Sequence, residues 1–316
     1  MGADTLPATQ TRTPRKRANS LRRQQMSFVL LALVPMAVIF LVFWIYPMVD
    51  GLVGSFTNWS AFNPARSFVG LKHYRALFAD GIFLKALQNT LVFALVYVPS
   101  SIVLALIVAV AIEATGRLRP LFRTIYFLPV VTSVIATGLI WAWLYQPALG
   151  LFNQLLQLAG LPPQRFLLSP EQALMCIVVY SLWKNLGFNM VLFMAGLSGI
   201  DQSFSEAARV DGANRWQVFS RITLPLLRPT MVFVLITGVI ETLQVFGPIF
   251  VMTSREANDA PGGPLNSTMV VAVYQWQVGF RELNLGYAAA MGIVLFLIIL
   301  VLTLLQTPLL RQRWEY

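Results

Sequence analysis

The sequence predicts an all-α integral membrane protein with six transmembrane helices. Three observations predict it. The 316 residues are 57% hydrophobic and only 11% charged, with a mean hydropathy of +0.68, whereas soluble domains carry roughly a quarter charged residues. Six segments are each apolar over the length that a bilayer requires, about 20 residues. The arginines fall in the tails and loops between them, where they act as topology signals rather than as a nucleic-acid surface, despite a formal charge of +10. Open sheet edges cannot be satisfied in lipid, so the spans read as helices.

In chain order, residues 1–27 are polar and basic and read as a disordered tail that anchors the positive-inside side. The first span, 28–49, is longer than the apolar region of a signal peptide. No small-x-small cleavage site follows Ile45-Tyr46-Pro47, so it reads as retained. The loop 50–89 mixes aromatic and polar residues around a short interfacial helix at 72–78. Spans at 91–112, 125–145 and 173–197 follow, then a polar insert at 198–229 and a fifth span at 231–252. The next loop, 253–286, holds the turn cluster Pro261-Gly-Gly-Pro264 and a short helix within 269–280. The last span is 287–309. The whole of 28–310 is one six-helix domain, without a second soluble domain.

Orientation follows the basic residues. Of the 23 Lys and Arg, Lys184 lies within a span. With the N-terminus inside, seven fall outside, namely Arg66, Lys72, Arg75, Lys85, Arg165, Arg255 and Arg281, and the other fifteen are cytoplasmic. Both termini and the polar insert are therefore expected in the cytoplasm of a multi-pass cell-membrane protein. Cys176 and His73 are the sole cysteine and histidine. They form no catalytic set and no metal cluster, and no GxxxxGK[ST] phosphate loop is present. An enzyme is not expected, and no cofactor or metal is expected on this chain.

The insert reads as two short helices that meet at a glycine. Ser203 and Glu206 fit a capping box, and a helix runs on to about Val210. Gly212 suits a left-handed helix end. Asn214 caps a second helix, with Trp216, Phe219 and Thr223 on one face. Pro225 ends or kinks it, and Pro229 precedes the next span. Ala207 and Ala208 permit close approach of another surface. On physical grounds alone, a partner-binding element and an amphipathic loop lying on the membrane both stand.

Charge within a span is costly and points to function. Lys184 lies near the middle of the fourth span and Glu241 near the middle of the fifth. Two readings stand: a structural ion pair, or a lining of a translocation path. Ser181, Lys184, Asn185 and Asn189 share a face of about 100°. Glu241 and Gln244 are neighbours on the fifth span, with Thr237 and Thr242 nearby. Gly187 and Gly238 permit close backbone approach. Amide and carboxylate groups of this kind suit the hydroxyls of a sugar. Trp141 and Trp143 read as an aromatic belt at the outer interface.

The pattern Glu206-Ala207-Ala208, three residues, Gly212, nine residues, then Ile222-Thr-Leu224-Pro225 resembles the EAA loop of permease subunits of ATP-binding-cassette importers. Asp211-Gly-Ala213 with Trp216 and Phe219 is similar to the carbohydrate-uptake branch, which includes the MalF and UgpA types. Supporting matches include Tyr46-Pro47, Asn89-Thr90, Phe127-Leu-Pro129, Ala195-Gly-Leu197 and Gly286-Tyr-Ala-Ala-Ala290, so the resemblance covers roughly 28–306. Two departures concern the outer face. Thr253 is separated from Gly262-Gly-Pro264 by Ser254–Pro261, and a large periplasmic insertion is absent.

The resemblance implies that 198–229 is a coupling loop docked on a cytoplasmic ATPase. Glu206 is then its charged anchor and Gly212 its bend, with Ala207, Ala208, Asp211, Trp216, Leu224 and Pro225 completing it. It also implies a second permease subunit, an ATPase dimer that carries ATP and Mg, and an extracytoplasmic solute-binding protein. The cargo is a sugar or a glycerol phosphate-like solute. For the substrate path the resemblance implies only the region, the middle spans; the candidates there are the polar residues read above, Ser181, Lys184, Asn185, Asn189, Glu241 and Gln244. The competing reading is an ion-gradient-driven secondary transporter with Lys184 and Glu241 as its coupling pair.

Overall fold

The computed structural model describes residues 28–29, 31–62, 65–254 and 261–309. The basic tail expected at 1–27, and most of the stretch 254–261, lie outside the described residues. The chain forms two units, Met1–Val53 and Gly54–Tyr316.

The described part of the first unit is helix α1, Leu31–Gly54, whose last residue belongs to the second unit. Its apolar side chains are exposed. A π turn, Leu41–Ile45, directly precedes Tyr46-Pro47. Pro47 has no N–H for the carbonyl four residues back, and the widened turn lies at that point.

Helices also build the second unit. No strand forms among the described residues beyond isolated bridges such as Thr57–Phe68. The short helix α2, Lys72–Ala79, matches the expected interfacial helix. Helix α3, Gly81–Glu113, has 33 residues, on the order of 50 Å at 1.5 Å per residue. It starts well before the expected 91 because Asp80 caps it. The Asp80 carboxylate accepts from the amides of Ile82 (2.8 Å) and Phe83 (3.2 Å).

Helix α3 runs parallel to α7, Ala173–Ser198. Phe83, Phe93 and Tyr97 pack with Leu174, Ile177 and Tyr180 in one core. Ala105, Ala109 and Ile112 pack with Met190, Phe193 and Met194 in a second, further along both helices. The N-terminal ends of α3 and α7 therefore share one end of the bundle, and their C-terminal ends share the other.

The third expected span is not one straight helix. Helix α4, Arg119–Val131, gives way to α5, Val134–Leu144, and the chain bends by 95° between them. A buried lysine fills the break. The Lys184 ammonium, on α7, donates to the carbonyls of Pro129, Val130 (3.2 Å) and Thr132 (2.8 Å). They lie at the C-terminal end of α4 and its cap, where the carbonyls of a helix lose their i+4 donors; Pro129 also accepts from the amide of Thr132 at 3.3 Å. Ser133 caps α5 by accepting from the amide of Ile135 at 3.3 Å. The ion pair between Lys184 and Glu241 does not form. Gly187 lets α7 approach: a Cβ there would collide with the carbonyl of Tyr126. At Gly238 a Cβ would only reach ordinary contact with Val98, at 3.6 Å, so close approach is not its role.

Helix α6, Leu151–Leu158, follows α5. Trp141 stands in an aromatic cluster, its ring 5.7 Å from Phe152 and from Tyr180 and 5.2 Å from Trp183. Trp143, in contrast, is exposed.

The fifth expected span is also divided. Helix α8, Gln202–Val210, and α9, Arg215–Leu226, come first. Helix α10, Arg228–Leu243, is bent by 60° from α9 and ends before 244–246. Helix α11, Gly247–Thr253, then packs on α5, where a Cβ at Gly247 would sit 3.2 Å from Val134 and one at Gly138 3.0 Å from Val251.

The turn cluster behaves as expected, with Gly262 and Gly263 at φ 134 and 69. Asn89 holds this loop by donating to the carbonyls of Asn266 (3.0 Å) and Met269 (2.8 Å). Helix α12, Val271–Trp276, continues in a π turn, Gln277–Arg281. Its first amide, Val271, donates to Thr90 Oγ1 at 3.1 Å. Helix α13, Leu285–Gln306, completes the unit. Asp80 joins three of these elements. Besides capping α3, it accepts from the hydroxyls of Tyr274 on α12 (2.7 Å) and Tyr287 on α13 (2.8 Å). Partial burial works against its charge, yet the two phenols and two amides outweigh burial and hold the carboxyl below the usual range. The Tyr274 phenol is raised in turn, by burial and then by this carboxylate.

Four long helices, together with the two bent pairs, meet the length and apolarity needed to cross a bilayer.

Two predictions follow from these anchors. Lys184→Met takes the ammonium from the carbonyls of Val130 and Thr132 and lowers stability by about 1.5–3 kcal/mol, the range for charged hydrogen bonds. Thermal unfolding in detergent reads this, and an unchanged midpoint refutes it. Asp80→Asn costs about 1–2 kcal/mol at neutral pH. A depressed folded pKa gives stability that is complete above the unfolded carboxyl pKa, about 3.9, and is lost as pH falls through the lower folded value. The gap in unfolding midpoint between wild type and Asp80→Asn is therefore flat from about pH 8 to pH 5. A gap that closes within that window contradicts the assignment.

Candidate functional site

The polar insert folds as two short helices at a glycine. Its first cap differs from the sequence expectation. Asp201, not Ser203, caps α8 by accepting from the amide of Ser203 at 2.9 Å. That amide, then the Ser203 hydroxyl, hold the Asp201 carboxyl below its ordinary range. The helix starts earlier than expected because a carboxylate at this position also complements the helix dipole. Ser203 and Glu206 consequently lie inside α8, and the Glu206 side chain is exposed. Ala207 is exposed beside it and Ala208 is half-buried.

Gly212, at φ 83, ends the helix as expected. Its amide donates to the carbonyl of Arg209 (3.1 Å), and Ala213 donates to Ala208 (2.9 Å). This pair of bonds is a Schellman closure. Asn214 starts α9 as expected, but with a partner that the sequence reading missed. Asn214 Oδ1 accepts from the amide of Gln217 (2.9 Å), and the Asn214 amide donates to Gln217 Oε1 (2.8 Å). The signal was present as Asn-x-x-Gln. Asp211, Gly212 and Pro225 are exposed and Leu224 is half-buried. Trp216 is 71% exposed, with its ring 5.8 Å from Phe219. Val210 and Phe204 are also exposed, so apolar side chains stand on an otherwise polar element.

Pro225 does not end α9. A π turn, Phe219–Thr223, absorbs its missing N–H, and the 60° bend falls at Leu227, between the two prolines. Leu227 is fully buried against Ala105, Ala109, Met190 and Phe193. The insert is thereby attached to α10 through a packed pivot. It follows α7, so it stands at the end of the bundle opposite Asp80. There Arg119 pairs with Glu113 (2.6 Å) and donates to Ser198 Oγ (3.1 Å).

The second candidate group lies half-way along the bundle. The four polar residues on α7 divide by environment. Ser181, Lys184 and Asn189 are buried, and Lys184 is committed to α4. Asn185 is half-buried and donates to the Tyr97 hydroxyl at 3.2 Å. Glu241 lies within electrostatic reach of Tyr97, so α3, α7 and α10 converge here. Tyr97 was missed by sequence reading, although a phenol within an apolar span needs a partner. Thr237 and Thr242 bond to carbonyls of their own helix, which removes them from the group. Glu241 and Gln244 are exposed at the end of α10.

Known proteins resemble this chain in sequence and in fold. The probable ABC transporter permease protein PH1215 of Pyrococcus horikoshii is 32% identical over 285 residues, covering 90% of this chain and 95% of that protein. The lactose transport system permease protein LacF of Rhizobium radiobacter is 34% identical over 287 residues, covering 90% and 94%. Among solved structures, a bacterial ABC transporter involved in the import of the acidic polysaccharide alginate superposes with a TM-score of 0.80 at 25% identity, covering 95% of this chain and 100% of the matched chain. Residues 76–314 match the family described as binding-protein-dependent transport system inner membrane component. The chain belongs to that family.

Proposed function

We propose that this chain is a permease subunit of an ATP-binding-cassette importer for a sugar. The observation that carries the reading is the capped two-helix insert, joined to α10 through the buried Leu227. Nothing in a bilayer needs such an element, and its exposed Glu206, Val210 and Trp216 suit a protein partner. Family membership and the relatives' names support it. The secondary-transporter alternative is not supported. The relatives are named a probable ABC transporter permease and a lactose transport system permease, and the cation it required, Lys184, is bound to backbone carbonyls at the end of α4.

In the full reading, the six expected spans form half of a translocation path, with the third and fifth bent. Both termini and the insert 198–229 are cytoplasmic. A second permease, most simply a different chain, completes the path. An ATPase dimer holds ATP and Mg and grips α8, with Glu206 as the charged anchor and Ala207 and Ala208 at the contact. A solute-binding protein docks on the opposite face, near α2, the 261–270 loop and α12. Closure of the ATPase pair pushes on α8 and α9 and tilts α10 about Leu227.

Affinity capture from native membranes tests this. An ABC ATPase, a second permease and a solute-binding protein should co-purify, and uptake should depend on ATP rather than on an ion gradient. Glu206→Ala should weaken ATPase docking at least tenfold, since truncating one partner of an interfacial charge pair costs about 2–5 kcal/mol. The level of the chain in the membrane should not change. Wild-type transport and complex recovery in Glu206→Ala would remove the anchor role.

A further inference from the structure

Two helices end in the middle of the bundle, α4 at Val131 and α10 at Leu243. A helix C-terminus presents carbonyls without intrahelical partners and the negative end of the helix dipole. At α4 that pole is neutralised by the Lys184 ammonium. At α10 the added charge has the opposite sign. Glu241 stands in the last turn, where a carboxylate opposes the dipole instead of complementing it. Among the described residues no cation pairs with it, and its side chain is exposed. The chain then leaves helical geometry at 244–246, and Gln244 is exposed there too.

An uncompensated carboxylate and a non-helical backbone are each tolerated at membrane depth only beside protein or a water-filled cavity. Here the two coincide. The amide of Asn185 and the hydroxyl of Tyr97 stand close by. Lys184 on α7 gives its hydrogen bonds to the carbonyls at the end of α4 and forms no ion pair with Glu241. The polar groups around the end of α10 are amides, a phenol and one carboxylate, Glu241.

We propose that the end of α10, Glu241 with Gln244, is a negative filter in the translocation path, which admits neutral or amino sugars and repels acidic ones. The proposal rests on the reading that this chain lines such a path. It separates the chain from the alginate transporter, whose cargo is an acidic polysaccharide.

The test uses the complete importer in membranes. Cys176 is replaced by alanine, Gln244→Cys carries the sole thiol of this chain, and labelling is read on this chain alone. Matched cationic and anionic methanethiosulfonates are the probes. The thiol should react, and the cationic reagent should be favoured by at least about tenfold over its ratio with free cysteine. Adding Glu241→Gln should abolish that preference. An unreactive thiol places this wall against lipid or a partner subunit and overturns the proposal. So does equal reaction with both reagents, which means that Glu241 is neutralised, and so does a preference that survives Glu241→Gln. If Gln244→Cys does not assemble, Thr237→Cys, one turn before Glu241 on the same face, gives the same readout. Capture of the ATPase reports separately on the importer reading, so the two failures are distinguishable.

Discussion

The carbonyls of a helix that stops inside a membrane need donors, and in this protein Lys184 supplies them. Water is scarce at that depth, and an unsatisfied carbonyl costs several kcal/mol. The ammonium reaches three carbonyls at once, those of Pro129, Val130 and Thr132. With that end satisfied, the chain can turn by 95° into α5. The position of α5 in turn sets the position of α11, because Gly138 and Gly247 bring those two short helices into contact. The aromatic cluster around Trp141 builds on the same placement. A buried cation is ordinarily expected to find a carboxylate. Here a set of backbone dipoles does that work, and the carboxylate of Glu241 remains available.

The two ends of the bundle are held by different chemistry. At one end Asp80 gathers three elements through four hydrogen bonds, two from amides and two from phenols. Asn89 and Thr90 add side-chain bonds to the loop that leads into α12. At the other end few such bonds cross between elements, and the insert is made rigid from within. Asp201 caps α8, the Schellman closure at Gly212 ends it, and the Asn214–Gln217 box starts α9. Helices this short are marginal alone, so the caps matter. An insert rigid in itself and attached at one buried pivot, Leu227, can pass a displacement on to α10.

Much of this was legible in the sequence. Hydropathy and the basic residues define the class, because the bilayer imposes its length and charge rules on every span. Local backbone chemistry is also readable. Gly212 takes its left-handed turn, Asn214 caps α9, and α2 and α12 fall where their patterns place them. These features depend on neighbours within a few residues. Where the reading of the insert erred, at Ser203, two adequate caps competed within three residues and the earlier, charged one prevailed.

Contacts between distant residues were decided only by the tertiary structure. Nothing near Lys184 in sequence announces that its partners are the carbonyls of Pro129, Val130 and Thr132, some fifty residues earlier. Hydropathy cannot distinguish a straight span from a bent one, because both are equally apolar, so the breaks after Val131 and Leu243 were invisible. The hub at Asp80 needs three elements folded together before its phenols meet the carboxylate. Composition and local pattern therefore determined the membrane class, the short helices and the insert. The pairing of buried polar groups required the fold.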